Sequence, residues 1–380
     1  MRTVLATVFV MMGALSLAQA GHPRPIVGAI RWDAWTGGEI TAQVERTLGP
    51  HKYHNHLPWF AEVIGDDKVR IDGSPQEIMD QEIDFAADAG LDYWAFLLYE
   101  ETSSMSKALK QYLLSSKRNR INFCLILHNA FGVSAERWPA ERDRAVALLK
   151  QPGYQTVLGG RPLVYALALQ YQGTFPTNRL MEFRRAAEKA HINPYFVLMG
   201  WNPGQEFNSE SSKGFAAVSS YAYGSAQGTF QQLAQSVENN YWQNAAKANV
   251  PYVPLVTTGW DKRPRKDNPV SWEKDQDYHR QDLFPSTATP QEIAAHLDRA
   301  LTFVREHSKI CVANAVIIYA WNELDEGGWL MPTWTENGKP NTDRLDAIRK
   351  ILKTDISLPR SVLPSPARGI VCTPTIILQE

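Results

Sequence analysis

The sequence is short of cysteine. Three occur in 380 residues, an odd count and too few for a disulfide framework. No Cys/His cluster has zinc spacing, so no metal is expected. Charge of one sign is lacking as well. Lys plus Arg number 39 against 40 Asp plus Glu, a formal charge of -1. Such a chain has no electrostatic footprint for nucleic acid or an acidic membrane surface. No glycine-rich fingerprint follows any apolar run, which argues against a nucleotide cofactor. The apolar run at residues 4–17 is too short to span a bilayer, and no stop-transfer segment follows it.

Aromatic residues are plentiful. The chain is 44% apolar and 11% aromatic, with 12 Trp, and is too apolar to be disordered. Trp and Tyr stack on flat apolar faces and carry a polar handle. Their abundance fits a sugar site or a well-filled core, and composition does not separate the two.

Residues 1–20 read as a secretory signal peptide. Arg2 supplies the positive start, residues 4–17 the apolar run, and Ala18-Gln19-Ala20 a small-x-small cleavage site before Gly21. A secreted or periplasmic chain follows, with no membrane insertion after cleavage. No Cys follows the site to carry a lipid. Cys124 falls inside an apolar strand-like run and reads as a small core residue.

Eight short apolar runs look like buried parallel strands, at residues 26–32, 93–99, 121–128, 162–169, 195–199, 216–223, 252–257 and 312–319. Helical stretches separate most of them, at 75–89, 106–117, 140–150, 179–190, 230–248 and 290–306, with another at 343–352. Ser74-Pro75 opens the first as a cap followed by Pro, and Gly90 closes it. Length alone admits two or three domains. The alternation without a long linker points instead to an α/β fold, a single (β/α)8 TIM barrel over residues 21–357 with long strand-to-helix loops. An open doubly wound sheet is the alternative, and it lacks its nucleotide fingerprint. Residues 358–380 are Pro-rich and aperiodic, a C-terminal extension.

Barrel chemistry sits where strands end. Those ends carry Asp33 and Trp35, Tyr99, His128 and Asn129, Trp201 and Asn202, Tyr223, Trp260, Asp261 and Arg263, and Trp321, Asn322 and Trp329. These are the candidate substrate-binding residues. Seven of the 12 Trp (32, 35, 201, 260, 321, 329 and 334) fall at or just beyond strand ends. Aromatic rings among carboxylates and amides suit a pyranose, which offers C–H faces and hydroxyl rims. Glu323 and Glu326 flank a turn that Gly327-Gly328 lets bend tightly. Two carboxylates in one confined site push their pKa values apart, as glycosidic cleavage requires. They are the candidate catalytic pair, with Asp325 turned elsewhere by alternation. The His51-x-x-His54-x-His56 stretch has no carboxylate at metal-ligand spacing and reads as solvated or as loop packing. Arg263 and Arg265 either clamp an anionic sugar group or support their loop through salt bridges.

Trp321-Asn322-Glu323-Leu324-Asp325-Glu326-Gly327 resembles the Trp-Asn-Glu-Trp-x-Glu-Gly motif of WbsX-like proteins, which belong with glycoside hydrolase family 99, the endo-α-mannosidases and endo-α-mannanases. Gly160-Arg161-Pro162-Leu163 matches the entry to that family's fourth strand. Gly259-Trp260-Asp261-Lys262-Arg263-Pro264-Arg265 resembles its Gly-Trp-Asp-x-x-Pro-Arg loop. The pattern covers roughly residues 27–352. The resemblance implies a (β/α)8 barrel in which Glu326 is the general acid/base and Glu323 acts on the substrate 2-hydroxyl. The 2-oxygen then attacks the anomeric carbon through a 1,2-anhydro sugar, retaining configuration without a glycosyl-enzyme ester. Leu324 departs from the motif Trp, Met331 stands where the family often has Glu, and Asp325 adds a charge. These departures bear on the sugar more than on the reaction.

The function expected is a secreted glycoside hydrolase that cleaves glycosidic bonds in a polysaccharide or glycan, its carbohydrate substrate, with retention of configuration, through the Glu pair after the eighth strand and without a cofactor. A glycosyltransferase of the WbsX type is one rival, disfavoured by the export signal because nucleotide-sugar donors are cytosolic. A catalytically silent carbohydrate-binding barrel is another, disfavoured by the paired glutamates. A polysaccharide lyase with a Tyr or His base is a third.

Overall fold

A computed structural model describes residues 24–128, 133–167, 177–210, 214–224, 228–273, 277–280 and 282–354. The signal-peptide and C-terminal-extension expectations lie outside these residues, as does Cys372.

Eight parallel strands form one sheet: β1 Ile26–Arg31, β2 Tyr93–Leu98, β3 Asn122–Leu127, β4 Arg161–Leu167, β5 Tyr195–Met199, β6 Ala217–Ser219, β7 Leu255–Thr257 and β8 Ala315–Tyr319. Hydrogen-bonded neighbours run β7-β8-β1-β2-β3-β4-β5-β6. The seam between β6 and β7 is joined by a parallel bridge between Val218 and Tyr252, with Val253 N–H donating to the Val218 carbonyl at 3.0 Å. The ring is therefore nearly closed, a (β/α)8 barrel. Every residue of β2, β5, β6, β7 and β8 is buried, the signature of strands covered on both faces.

The helices match their predicted places with shifts at the ends. The span Pro290–Glu306 is helical as expected, opened by a Thr289/Glu292 capping box. The first predicted helix begins at Gln76. Pro75 is extended and caps nothing with its side chain, and the Ser74 N–H turns back to Asp72 Oδ1 at 2.9 Å. Gly90 ends that helix in the left-handed conformation (φ 90°). The predicted helix over 230–248 is interrupted by a π-helical turn, Glu238–Trp242, between Phe230–Val237 and Gln243–Ala248. Strands six to eight are shorter than expected. Asn314, just before β8, has φ 46° and cannot continue a strand.

The long loops after β1, β5 and β7 carry structure of their own. Beyond β1 come the helix Gly38–Leu48, a 3-10 turn His51–His56 and a hairpin of Glu62–Gly65 with Lys68–Arg70. Beyond β5 lies Pro203–Glu210, and beyond β7 the short helix Arg263–Asp267. Cys124 is buried in β3, as expected.

Candidate active site

The site grows from two glycines that touch. Gly259 (φ 147°) follows β7 and Gly327 (φ 81°) follows β8. A Cβ on Gly259 would lie 2.1 Å from the Gly327 carbonyl oxygen, and one on Gly327 would lie 2.3 Å from the Asp261 nitrogen. Only bare backbone permits this approach. The contact is sealed by the Asp261 N–H donating to the Glu326 carbonyl at 2.7 Å. Pro264 in its first turn then starts the Arg263–Asp267 helix, which brings Lys262 and Arg265 up against the glutamate turn.

A cavity of about 490 Å³ opens at the C-terminal end of the barrel. All eight strands contribute to its wall at or near their ends, with Trp32, Leu97, Tyr99, His128, Leu167, Trp201, Tyr221, Trp260 and the two glutamates. Trp272, Glu273 and Tyr278, from the segment beyond β7, close another side. Trp32 Nε1–H donates to the Tyr99 hydroxyl at 2.8 Å. His128 Nδ1 is buried and has no partner. Burial lowers that ring's pKa to about 4, so it is neutral near pH 7.

The two glutamates sit in opposite surroundings. Glu326 Oε1 accepts from Arg265 Nη1 and lies 2.9 Å from Lys262 Nζ. Its Oε2 accepts from the Tyr319 hydroxyl. Both carboxylate oxygens are thus held by donors, two of them cationic. Glu323 has one donor, the Tyr221 hydroxyl at 2.5 Å on Oε1. Its buried Oε2 has no hydrogen-bond partner, and the nearest cation, Arg265 Nη2, stands off at 3.8 Å. Burial, then the charge of Glu326, push the Glu323 pKa well above the ordinary carboxylate range. Of the two, Glu323 is the one whose surroundings favour the protonated form.

Arg265 is the hub. It is buried, grips Asp325 through Nε at 2.7 Å and Nη2 at 3.0 Å, and reaches Glu273 Oε1 at 3.0 Å. Asp325 is fully buried and aimed at Arg265, away from the cavity. Lys262 Nζ lies 2.8 Å from Glu273 Oε1. Burial raises the Glu273 pKa, but Arg265 and then Lys262 outweigh it and hold this carboxyl well below its usual range. Of the two roles open to the arginines, Arg265 takes the supporting one.

Of the predicted site residues, Glu323, Glu326, Tyr99, His128, Trp201 and Trp260 share the cavity. Others lie elsewhere. Asp33 is buried in an ion pair with Arg31 at 2.7 Å and accepts from Asn322 Nδ2 at 3.2 Å. Asn322 in turn accepts the Trp32 N–H at 2.8 Å. Both are used up in fixing the backbone beneath the site. Trp35 and Trp321 are core residues, 2% and 0% exposed. Trp321 packs on Trp94 and donates to Glu82 at 3.2 Å. Trp329 is buried between Arg344 and His56. The Tyr223 hydroxyl accepts from Asn240 at 2.6 Å, leaving Tyr221, two residues earlier, to face Glu323. Asn202 is exposed and bonds Gln205. Asn129 lies outside the described residues. Asp261 and Arg263 pair with each other and line a separate cavity of about 280 Å³. His54 and His56 are buried, with ring nitrogens on the Gly49 and Leu324 carbonyls at 2.8 and 3.0 Å. Among the described residues no group of three His, Cys, Asp or Glu side chains is placed to hold a metal.

Lys262, Trp272, Glu273 and Tyr278 were missed from the sequence. Lys262 occupies a variable position of the Gly-Trp-Asp loop, and the other three lie in an aperiodic stretch. Their one signal was aromatic and acidic residues interleaved after a strand end.

The fold and site define a (β/α)8 barrel with paired carboxylates in an aromatic cavity. No protein-family model matches the chain and no curated protein matches it. Two solved structures of the glycoside hydrolase family 99 endo-α-mannosidase from Bacteroides thetaiotaomicron, one in complex with bis-tris propane, are similar to it. Their TM-scores are 0.53 and 0.51, each at 13% identity over 87% of this chain and 98% of that chain. At that identity the likeness is one of fold, and the chain has the barrel of the family 99 type.

Proposed function

We propose that this protein is a glycoside hydrolase that cleaves a polysaccharide or glycan with retention of configuration, acting outside the cell or in the periplasm. One observation carries the reading: two carboxylates, one held by two cations and a hydroxyl and the other by a single hydroxyl, face one aromatic cavity at the C-terminal end of a barrel. The similar structures are named for glycosidase activity, which agrees. Met331 and Leu324 are buried at two of the motif departures, so mannose is not assumed.

The surroundings divide the labour. Glu323 carries the proton and gives it to the departing glycosidic oxygen. Glu326, ionised, takes the 2-hydroxyl proton as the 2-oxygen bonds to the anomeric carbon and the glycosidic bond breaks. Water then attacks that carbon and loses a proton to Glu323, while Glu326 returns its proton to the 2-oxygen. The balance is one water consumed and one glycosidic bond cleaved. This reverses the roles that the family resemblance implies, because the cations stand beside Glu326.

The test is a comparison of Glu323→Gln and Glu326→Gln on a polysaccharide panel and on a glycosyl fluoride, which departs without a proton. Each variant should lose about 10²- to 10⁴-fold on the polysaccharide. Glu323→Gln should keep its single-turnover rate of fluoride release, and Glu326→Gln should not. The opposite pattern would restore the roles the resemblance implies. Cleavage indifferent to both substitutions would sink the assignment. Binding without cleavage would favour a silent barrel, and product formed only with a nucleotide-sugar donor would favour a transferase.

A further inference from the structure

The short helix Arg263–Asp267 and the residues before it form a partition with a cavity on each side. Lys262 and Arg265 face the glutamates. Asp261, Arg263, Lys266 and Asp267 face the second cavity. The two arginines of the Gly-Trp-Asp-x-x-Pro-Arg loop thus serve different spaces. We infer that the second cavity is a separate binding site for a neutral stretch of glycan, coupled to the catalytic turn. The choice of a glycan rests on the glycosidase reading above.

Charge selects the ligand class. Each cation on the wall is matched by a carboxylate. Lys52 pairs with Asp267 at 2.5 Å, Arg263 with Asp261 at 2.5 Å and Lys266 with Asp282 at 2.9 Å. An anion would have to displace a carboxylate, and a cation an ammonium or guanidinium. A polyhydroxylated neutral ligand displaces neither. Its hydroxyls each donate and accept, so they bond to the outer side of an intact pair, donating to the carboxylate and accepting from the cation. Tyr53 and Phe284 add aromatic surface to the same wall, the complement of a pyranose C–H face. Tyr53 is anchored by its hydroxyl donating to Asp267 at 2.5 Å, so this ring is held before a ligand arrives.

Two wall residues reach the catalytic turn by hydrogen bonds. Asp261 donates its N–H to the Glu326 carbonyl at 2.7 Å. The His56 Nδ1 lies 3.0 Å from the Leu324 carbonyl. Burial, outweighing the Asp261 charge, lowers the His56 pKa to about 4. The ring is neutral near pH 7 and donates from Nδ1. A ligand that steadies this wall also steadies the segment carrying Glu323 and Glu326. The partition is one helix thick, about 10 Å, so one glycan chain folding over it can occupy both cavities.

The test fills the second cavity without removing a charge. Asn55, exposed on its rim, is changed to Trp. The probes are the polysaccharide that the wild type cleaves, a tetrasaccharide cut from it, and an aryl glycoside small enough for the aromatic cavity alone. Wild type should titrate with two tetrasaccharides per chain and Asn55→Trp with one. The variant should show about a tenfold higher KM on the polysaccharide, equivalent to about 1.4 kcal/mol, with kcat and KM on the aryl glycoside unchanged within about twofold. A circular dichroism melt checks that the variant is folded. One site in wild type, or equal polysaccharide KM in the two proteins, overturns the second site. Failure of the wild type to cleave any glycoside overturns the glycosidase reading instead, a distinct result.

Discussion

Two buried arginines organise two charge networks among the described residues, and the second of them lines the aromatic cavity while the first does not. Arg31, at the end of β1, pairs with Asp33 at 2.7 Å and Glu82 at 2.5 Å and lies over the Trp94 ring. Arg265 gathers Asp325, Glu326 and Glu273. The ingredients are alike and their uses differ. The first network is capped by Asn322 and Trp321, and its carboxylates face protein. The second leaves a carboxyl oxygen of Glu323 unpartnered beside open space. Access to a ligand, and one group left short of donors, separate a chemical site from a structural one.

The comparison breaks most sharply at the arginines. Removing one partner of a buried pair strands the others, at a cost of about 3–5 kcal/mol. Arg31→Met and Arg265→Met should each lower stability by that order in a denaturant titration. At a temperature where both stay folded, Arg31→Met should retain kcat/KM within about tenfold, and Arg265→Met should lose cleavage with the Glu326 variant. Parallel loss of activity in both would mean that the networks act as one.

A smaller effect is expected at the glycine contact. Gly327→Ala forces a Cβ to 2.3 Å from the Asp261 nitrogen at φ 81°. The strain should cost about 1–3 kcal/mol and lower kcat more than it raises KM, since the catalytic turn itself must shift. Unchanged kcat would show that the contact is dispensable.

The smallest effect has the opposite sign. An unfolded chain releases the Glu323 proton near 4.5, the ordinary value of a glutamate, whereas burial and the neighbouring Glu326 make the folded chain hold it to higher pH. The folded state then binds more protons, so this group makes stability fall as pH rises above about 4.5. Glu323→Gln removes that slope. Its melting temperature should exceed wild type by about 2–4 °C at pH 7, and the gain should vanish below pH 4.5. A gain over wild type no larger at pH 7 than at pH 4 would show that the fold does not raise the Glu323 pKa.

The barrel was legible because buried parallel strands read as unbroken apolar runs, Tyr93–Leu98 being the clearest. Strand ends were less so. The limit of β6 is set by pairing with β5, not by its residues, and Ala217–Ser219 is shorter than its apolar surroundings. Glu323 and Glu326 were legible as a pair, since a strand, two carboxylates and two glycines occur in order. Their unlike surroundings were not, because these depend on Lys262 and Arg265, which arrive from about sixty residues away. The Trp excess misled in part. Trp35, Trp321 and Trp329 occupy strand ends and still face protein, while Trp272, off the strand pattern, lines the cavity.

The partition between the cavities also bears on how this protein can vary. Each residue of an α-helix turns the chain by about 100°. One residue inserted or deleted between Gly259 and Arg265 would swing Arg265 off the glutamates and present them with a neighbour meant for the other side. Replacement of an outward-facing side chain such as Arg263 leaves the catalytic face in register. The length of this segment is therefore its rigid property, and the residues on its outer face are free to diversify toward different ligands.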